Sequence, residues 1–136
     1  MSVERRSAVM ARIKGSNTGP ELRTRKAAHA IGLRFRLNRT DLPGKPDLIF
    51  PKHRIALFVH GCFWHQHAGC RRASVPKSST EYWHKKLRRN VERDAQVIPA
   101  LERLGWRAVV VWECETKDPS VLSGILEDIF KLSDAR

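Results

Sequence analysis

The sequence predicts an α/β domain with a central mixed β-sheet flanked by helices. Two runs, IALFV at 55–59 and RAVVVW at 107–112, have the length and β-branched, apolar composition of buried strands. Between them, from Thr80 to about Gly105, apolar residues recur at helical spacing. A strand, a long helix and a second strand form a crossover unit, so the two strands are expected as parallel neighbours.

The other elements follow in chain order. NTGPELRTRKAAHAIG reads as a helix in which Thr18 caps the start, Glu21 follows three residues later as in a capping box, and Gly32 stops it. LRFRL at 33–37 alternates like a strand, and LPGKPDLIF supplies a turn and a short strand from about Asp47. PKHR then turns the chain into 55–59, so the first three strands are expected as an antiparallel meander. Pro99 marks a kink, or a break and restart, in the long helix. PSVLSGILEDIFKL opens on Pro119 and repeats apolar pairs at 121/122, 125/126 and 129/130, an amphipathic C-terminal helix over 119–136. With no repeat, low-complexity tract or linker, the 136 residues are expected as a single domain, residues 1–17 forming a basic N-terminal arm.

Charge points to the partner. Lys and Arg number 26 against 14 Asp and Glu, a formal net charge of +12. Such a field favours a polyanion, with nucleic acid ahead of an anionic membrane surface. The excess is local: residues 1–39 hold ten basic and two acidic side chains, residues 71–93 eight and two, and the last 24 residues are net acidic. No apolar run approaches a membrane span and no apolar stretch follows the N-terminus, so a cytoplasmic protein is expected. Three cysteines in a reducing compartment argue against a disulfide framework and leave metal ligation or buried thiols.

Cys62 lies two residues beyond His60, which ends the first strand, and Cys114 two beyond Trp112, so parallel pairing brings their sulfurs together. With His67 and Cys70 they make a Cys3His set suited to a closed, tetrahedral, structural zinc site. A small buried Cys114 is the bland alternative.

Asp47 stands at the start of a strand beside a turn, a position from which a carboxylate holds a hard cation. Mg2+ keeps several waters, so one or two carboxylates suffice when substrate phosphates complete its shell. Glu21 could supply a second oxygen or serve only the capping box. His65 is not needed for the zinc set, and an imidazole suits the general-base step of phosphodiester hydrolysis. His60, ending the apolar strand, could face the same edge.

LPGKPDLIF, HGCFWHQH, YWHKKLRRNVERD and LGWRAVVVWEC together resemble the very-short-patch-repair (Vsr) DNA mismatch endonucleases, from about Arg6 to Glu115. The resemblance implies a restriction-endonuclease-like fold and Mg2+-dependent nicking of DNA near a T:G mismatch. It assigns metal binding to Asp47, the general base to His65, supporting places to His60 and Glu21, and zinc to Cys62, His67, Cys70 and Cys114. Like that family, the chain lacks an acid-x-Lys pair on the third strand, where Phe58 to His60 stand, so the Val59 backbone carbonyl is expected as a metal ligand there. Two departures are Val59, where some members carry Thr, and the two residues between His67 and Cys70, where some have one; Gly69 permits the extra turn.

Phe63 and Trp64 share a short, ligand-constrained loop, and Trp83 lies in the basic EYWHKKLRR segment. Apolar rings beside a positive surface can enter a base step, and unstacking costs least at a mismatch. The resemblance favours intercalation for Phe63 and Trp64, with Trp83 beside them, while Trp106 and Trp112 are expected in the core. Lys85, Lys86, Arg88 and Arg89, with the Arg5–Lys14 arm, are expected on DNA phosphates. The reading is a monomeric, zinc-stabilised, Mg2+-dependent endonuclease acting on mismatched duplex DNA, open to repair-protein partners. Its rivals are a non-catalytic zinc module that binds DNA and a restriction-type enzyme that cuts matched DNA.

Overall fold

The computed structural model describes residues 18–37 and 39–134, so the 1–17 arm and its Arg5–Lys14 segment lie outside the described residues. Strands β1 (Leu48–Phe50), β2 (Ile55–His60) and β3 (Arg107–Trp112) form one mixed sheet in that order. β1 runs antiparallel to β2, with Leu48 opposite Leu57 and Phe50 opposite Ile55. β2 runs parallel to β3, from Ile55 opposite Arg107 to His60 opposite Trp112.

Three helices flank the sheet: α1 (Gly19–Ala30), α2 (Thr80–Arg103) and α3 (Pro119–Asp134). α1 begins where Thr18 turns extended and its hydroxyl accepts from the Glu21 N–H at 3.5 Å; Pro20 occupies the first turn, where its missing N–H costs nothing. Gly32, at φ 83, carries the chain out of the helix.

Successive β2 side chains project to opposite faces. Ile55 and Leu57 join Leu48, Phe50, Val111, Ala28 of α1 and Leu122, Leu126 and Phe130 of α3 in one apolar cluster. Ala56 and Phe58 pack with Ile49, Leu42, Leu101 and Trp106 on the α2 side. A strand buried on both faces has no polar face to display, which explains the unbroken apolar run at 55–59. Each large side chain so buried contributes about 1.5–3 kcal/mol.

One expectation is corrected and another narrowed. Residues 33–37 are not a strand: they contribute one antiparallel bridge, in which Arg36 and Ile49 exchange N–H···O bonds of 2.8 and 3.0 Å. The next bonded pair would place Arg34 opposite Pro51, which has no N–H to give, so the meander stops at two strands and a bridge. Of the two readings of Pro99, the break and restart is excluded, because α2 is continuous through it to Arg103. The fully buried Leu101 anchors the turn beyond the proline, and that packing offsets one lost helical bond.

Candidate active site and metal centre

Both parallel strands end at the same edge, and the chain leaves each through a tight segment. After β2 comes the loop 61–70; after β3 comes a short 3-10 helix, Glu113–Thr116. The matched register carries Cys62 and Cys114 into contact, the Cys114 N–H donating to Cys62 Sγ at 3.4 Å. His67 Nδ1 lies 3.7 Å from Cys62 Sγ and 3.5 Å from Cys114 Sγ. The donor atoms of Cys62, His67, Cys70 and Cys114 all fall within 4.8 Å of one another, so this cluster could hold a metal ion.

A tetrahedral ion bound at about 2.3 Å to sulfur and about 2.0 Å to nitrogen separates those two ligand types by about 3.6 Å. The observed spacings fit that geometry. Burial pushes the Cys62 thiol up to about 12, whereas the Arg72 backbone N–H pulls Cys70 below the usual thiol range. A metal would supply the missing reason for these sulfurs to ionise. The loop is held internally as well: Gln66, at φ 49, donates through its carboxamide to Phe63 O at 2.6 Å and Ala73 O at 3.1 Å. Gly69, at φ 73, makes the turn that returns Cys70 to His67.

On the α2 side of the same edge opens a cleft of about 470 Å³. Asp47, His60, His65, Val59 and Glu21 all line it. Strand alternation explains His60, which shares the face of Ala56 and Phe58 and so projects toward α2. Asp47 immediately precedes β1 and is held by its N–H, which donates to the Leu57 carbonyl at 3.0 Å.

The Val59 N–H donates to Asp47 Oδ2 at 2.7 Å. Because Ile49 turns its own N–H and C=O to Arg36, Ile55, Leu57 and Val59 are the β2 residues whose backbone groups face β1, and the Val59 carbonyl lies on the Asp47 side. Burial holds the Asp47 carboxyl up to about 7, against the Val59 amide; Glu21 adds to the rise and Arg25 opposes it. Glu21 is itself buried and pairs with Arg25 at 3.4 Å. A buried and a half-buried carboxylate facing one cleft, with a carbonyl beside them, are a donor set that suits a hard cation.

His60 and His65 stack face to face, centroids 3.8 Å apart and planes 6° from parallel. His65 Nδ1 lies 2.6 Å from Asp94 Oδ2. An ionised carboxylate only accepts, so in that state Nδ1 carries the hydrogen and Nε2 keeps its lone pair. Burial, with neighbouring His65, pulls His60 down to about 4 against the opposing charge of Asp94, leaving His60 neutral at neutral pH.

The rings expected to be exposed are half-buried against one another. Phe63 meets Trp64 and Trp83 edge-on at 5.1 and 5.4 Å, and Trp83 meets Tyr82 at 5.2 Å. Lys86 lies 5.4 Å over the Trp64 ring, while Lys85, Arg88 and Arg89 project outward, exposed, from the same helix. Of these four basic residues Lys86 alone lies on the aromatic patch; helical spacing puts Lys85, Arg88 and Arg89 on the far, exposed side of α2 from Trp83, Asn90 and Asp94.

A sequence model of the family DNA mismatch endonuclease Vsr matches residues 1–72. The type II nicking enzyme V.XorIIP of Xanthomonas oryzae pv. oryzae is 49% identical over 129 residues, spanning 95% of this chain and 94% of its own. The chain belongs to the Vsr family. The DNA mismatch endonuclease Vsr of Escherichia coli K12 is 43% identical over 109 residues, 80% of this chain and 69% of its own. The type II nicking enzyme V.NmeAIP of Neisseria meningitidis is 39% identical over 120 residues, 88% and 85% respectively.

Against the sequence reading, this Vsr-family chain adds three residues. Asp94 lies on α2 and reaches back to His65. Asn90, one turn earlier, donates to the Trp64 carbonyl at 3.1 Å. The signal for both was a polar i, i+4 pair in YWHKKLRRNVERD, on the α2 face that also presents Val97 to the cleft. Trp112 belongs to neither apolar cluster; it packs on His67 and His60 instead of the core expected for it. Trp106 is buried as expected.

Proposed function

We propose that the protein nicks one strand of duplex DNA near a T:G mismatch by Mg2+-dependent phosphodiester hydrolysis. It would act as a monomer, a single domain over residues 1–136 with a restriction-endonuclease-like architecture, on DNA in the cytoplasm. One observation carries the reading: the Asp47 carboxylate and the hydrogen-bonded His65–Asp94 pair open on the same cleft.

Asp47 and the Val59 carbonyl, with Glu21 close by, would hold Mg2+, which when bound neutralises charge on the scissile phosphate and orients it. His65 Nε2 takes a proton from the attacking water as the new P–O bond forms and the bond to the leaving deoxyribose oxygen breaks. Asp94 fixes the His65 tautomer and stabilises the imidazolium that results. Neutral His60 stacks on that ring and limits its rotation without adding a competing charge. Cys62, His67, Cys70 and Cys114 would hold zinc, pinning the loop that carries His65.

Phe63, Trp64 and Trp83 would enter the duplex at the mismatch. Their mutual packing supports this, because rings already ordered lose little entropy on insertion. Lys85, Lys86, Arg88 and Arg89 would contact phosphates.

Two duplexes of one sequence, one carrying T:G and one fully matched, test the reading. In Mg2+, nicking of the T:G duplex alone is expected, and Asp47→Ala should abolish it. Equal cutting of both duplexes supports a restriction-type enzyme; no cutting of either supports a binding module.

A further inference from the structure

Trp112 ends β3 opposite His60 and two residues before Cys114. Its indole lies parallel on the His67 imidazole, centroids 4.2 Å apart and planes 9° from parallel. Its ring also meets His60 edge-on at 5.2 Å and 77°. His60 stacks on His65, and His65 bonds Asp94. One unbroken row of contacts therefore runs from the Cys/His cluster to the His65–Asp94 pair. The Trp112 backbone N–H donates to Glu115 Oε1 at 2.8 Å, which holds the main chain from which the indole projects.

His65 is already tied to the cluster through the backbone, two residues from His67. That tie fixes where the side chain begins and leaves its two torsions, the second of them soft, to be set by neighbours. The Asp94 bond and the ring contacts together set them. An imidazole that binds a cation becomes electron-poor and stacks better on indole, whose face is the most negative of the aromatic side chains. A leucine of similar reach offers no flat face to either histidine.

We propose that Trp112 is a positioning residue that transmits the orientation of His67 in the metal cluster to His60, and through it to the general base His65. The inference rests on the reading of His65 given above. It gives the cluster a second task besides pinning the loop: fixing the angle at which the base meets its water.

The test uses full-length Trp112→Leu and Trp112→Phe, with zinc content, kcat and KM on a T:G duplex in Mg2+, and the His60 and His65 imidazole NMR signals before and after exchange of zinc for cadmium. Trp112→Leu is expected to keep its zinc and a KM within about threefold of wild type while kcat falls about tenfold or more, since small misplacements of a reacting group are costly. Trp112→Phe should recover much of kcat. Cadmium exchange should shift both imidazole signals in the wild type and shift them less in Trp112→Leu. Wild-type kcat in Trp112→Leu, or equal impairment of both variants, overturns the proposal. If the leucine variant does not fold, Trp112→Met, which also lacks a flat face, takes its place under the same criteria: a fall in kcat of about tenfold at nearly unchanged KM with recovery in Trp112→Phe supports the proposal, and wild-type kcat in Trp112→Met overturns it. His65→Ala separates the two readings. Full activity in His65→Ala removes the general base and this inference with it; an inactive His65→Ala beside a fully active Trp112→Leu removes the inference alone.

Discussion

Asp47 receives the Val59 amide at 2.7 Å, yet its carboxyl remains poised at about 7 because burial outweighs that single bond. A folded pKa raised above its unfolded value means that the native state holds a proton the unfolded chain has released. Stability in the absence of divalent cations should therefore fall as pH rises from about 4, the unfolded value, to about 7, the folded one. Thermal melts in EDTA-free, Mg2+-free buffer across that window check this, using the difference between wild type and Asp47→Asn. The asparagine variant should lack the extra slope, and Mg2+ should flatten the wild-type curve by replacing the proton.

Asp94 bonds His65 at 2.6 Å, and its charge also opposes the lowering of the His60 pKa. Asp94→Asn keeps the shape and removes the charge that favours the Nδ1–H tautomer of His65 and its imidazolium. A fall in kcat of about 100-fold or more is expected, with zinc content and duplex affinity retained. Single-turnover nicking at saturating enzyme would measure it; wild-type rates would show that His65 needs no orienting acid.

Cys114 sits across from Cys62 only because β2 and β3 pair in register. Cys114→Ser should lower zinc occupancy and the melting temperature together, the lost stability amounting to several kcal/mol if metal binding is folding energy here as in other small metal sites. Metal analysis beside calorimetry would show it.

Gly44 adopts φ 74 in the turn before Asp47, and a Cβ there would meet Val97 Cγ1 of α2 at 2.6 Å. Gly44→Ala combines overpacking with a left-handed backbone and should cost about 1–3 kcal/mol. Because the turn delivers Asp47, nicking should decline with stability, as denaturant melts and rate measurements on one preparation would reveal.

Phe63→Ala with Trp64→Ala should weaken T:G discrimination while leaving zinc bound. Lys85→Ala or Arg89→Ala should instead weaken all duplexes alike and reduce the salt slope by about one per lost phosphate contact. Titrations of matched and mismatched duplex at several salt concentrations distinguish the two classes.

Much of this was legible in the linear chain. Two apolar runs of similar length separated by a helical stretch imply a parallel pair, and matching their ends places Cys62 beside Cys114 without any knowledge of side-chain packing. His60 falls on the α2 face of the sheet by alternation with Ala56 and Phe58. The third strand was misread because LRFRL alternates correctly, but a strand needs a partner able to donate, and Pro51 is not one.

The sequence by itself determined the parallel strand pair, the helix that crosses between them and the four residues that could hold a metal, since periodicity, strand length and ligand type are local properties. Only the tertiary structure decided the placement of Asp94 and Trp112. The rotation of α2 about its axis, which aims Asp94 at His65, is set by how Leu87, Val97 and Leu101 seat against their neighbours. Trp112 joins the two histidines because the loop 61–70 folds back over the end of β3. Both placements depend on contacts between segments distant in the chain, whose mutual orientation is chosen by packing and not by any residue pattern within either segment.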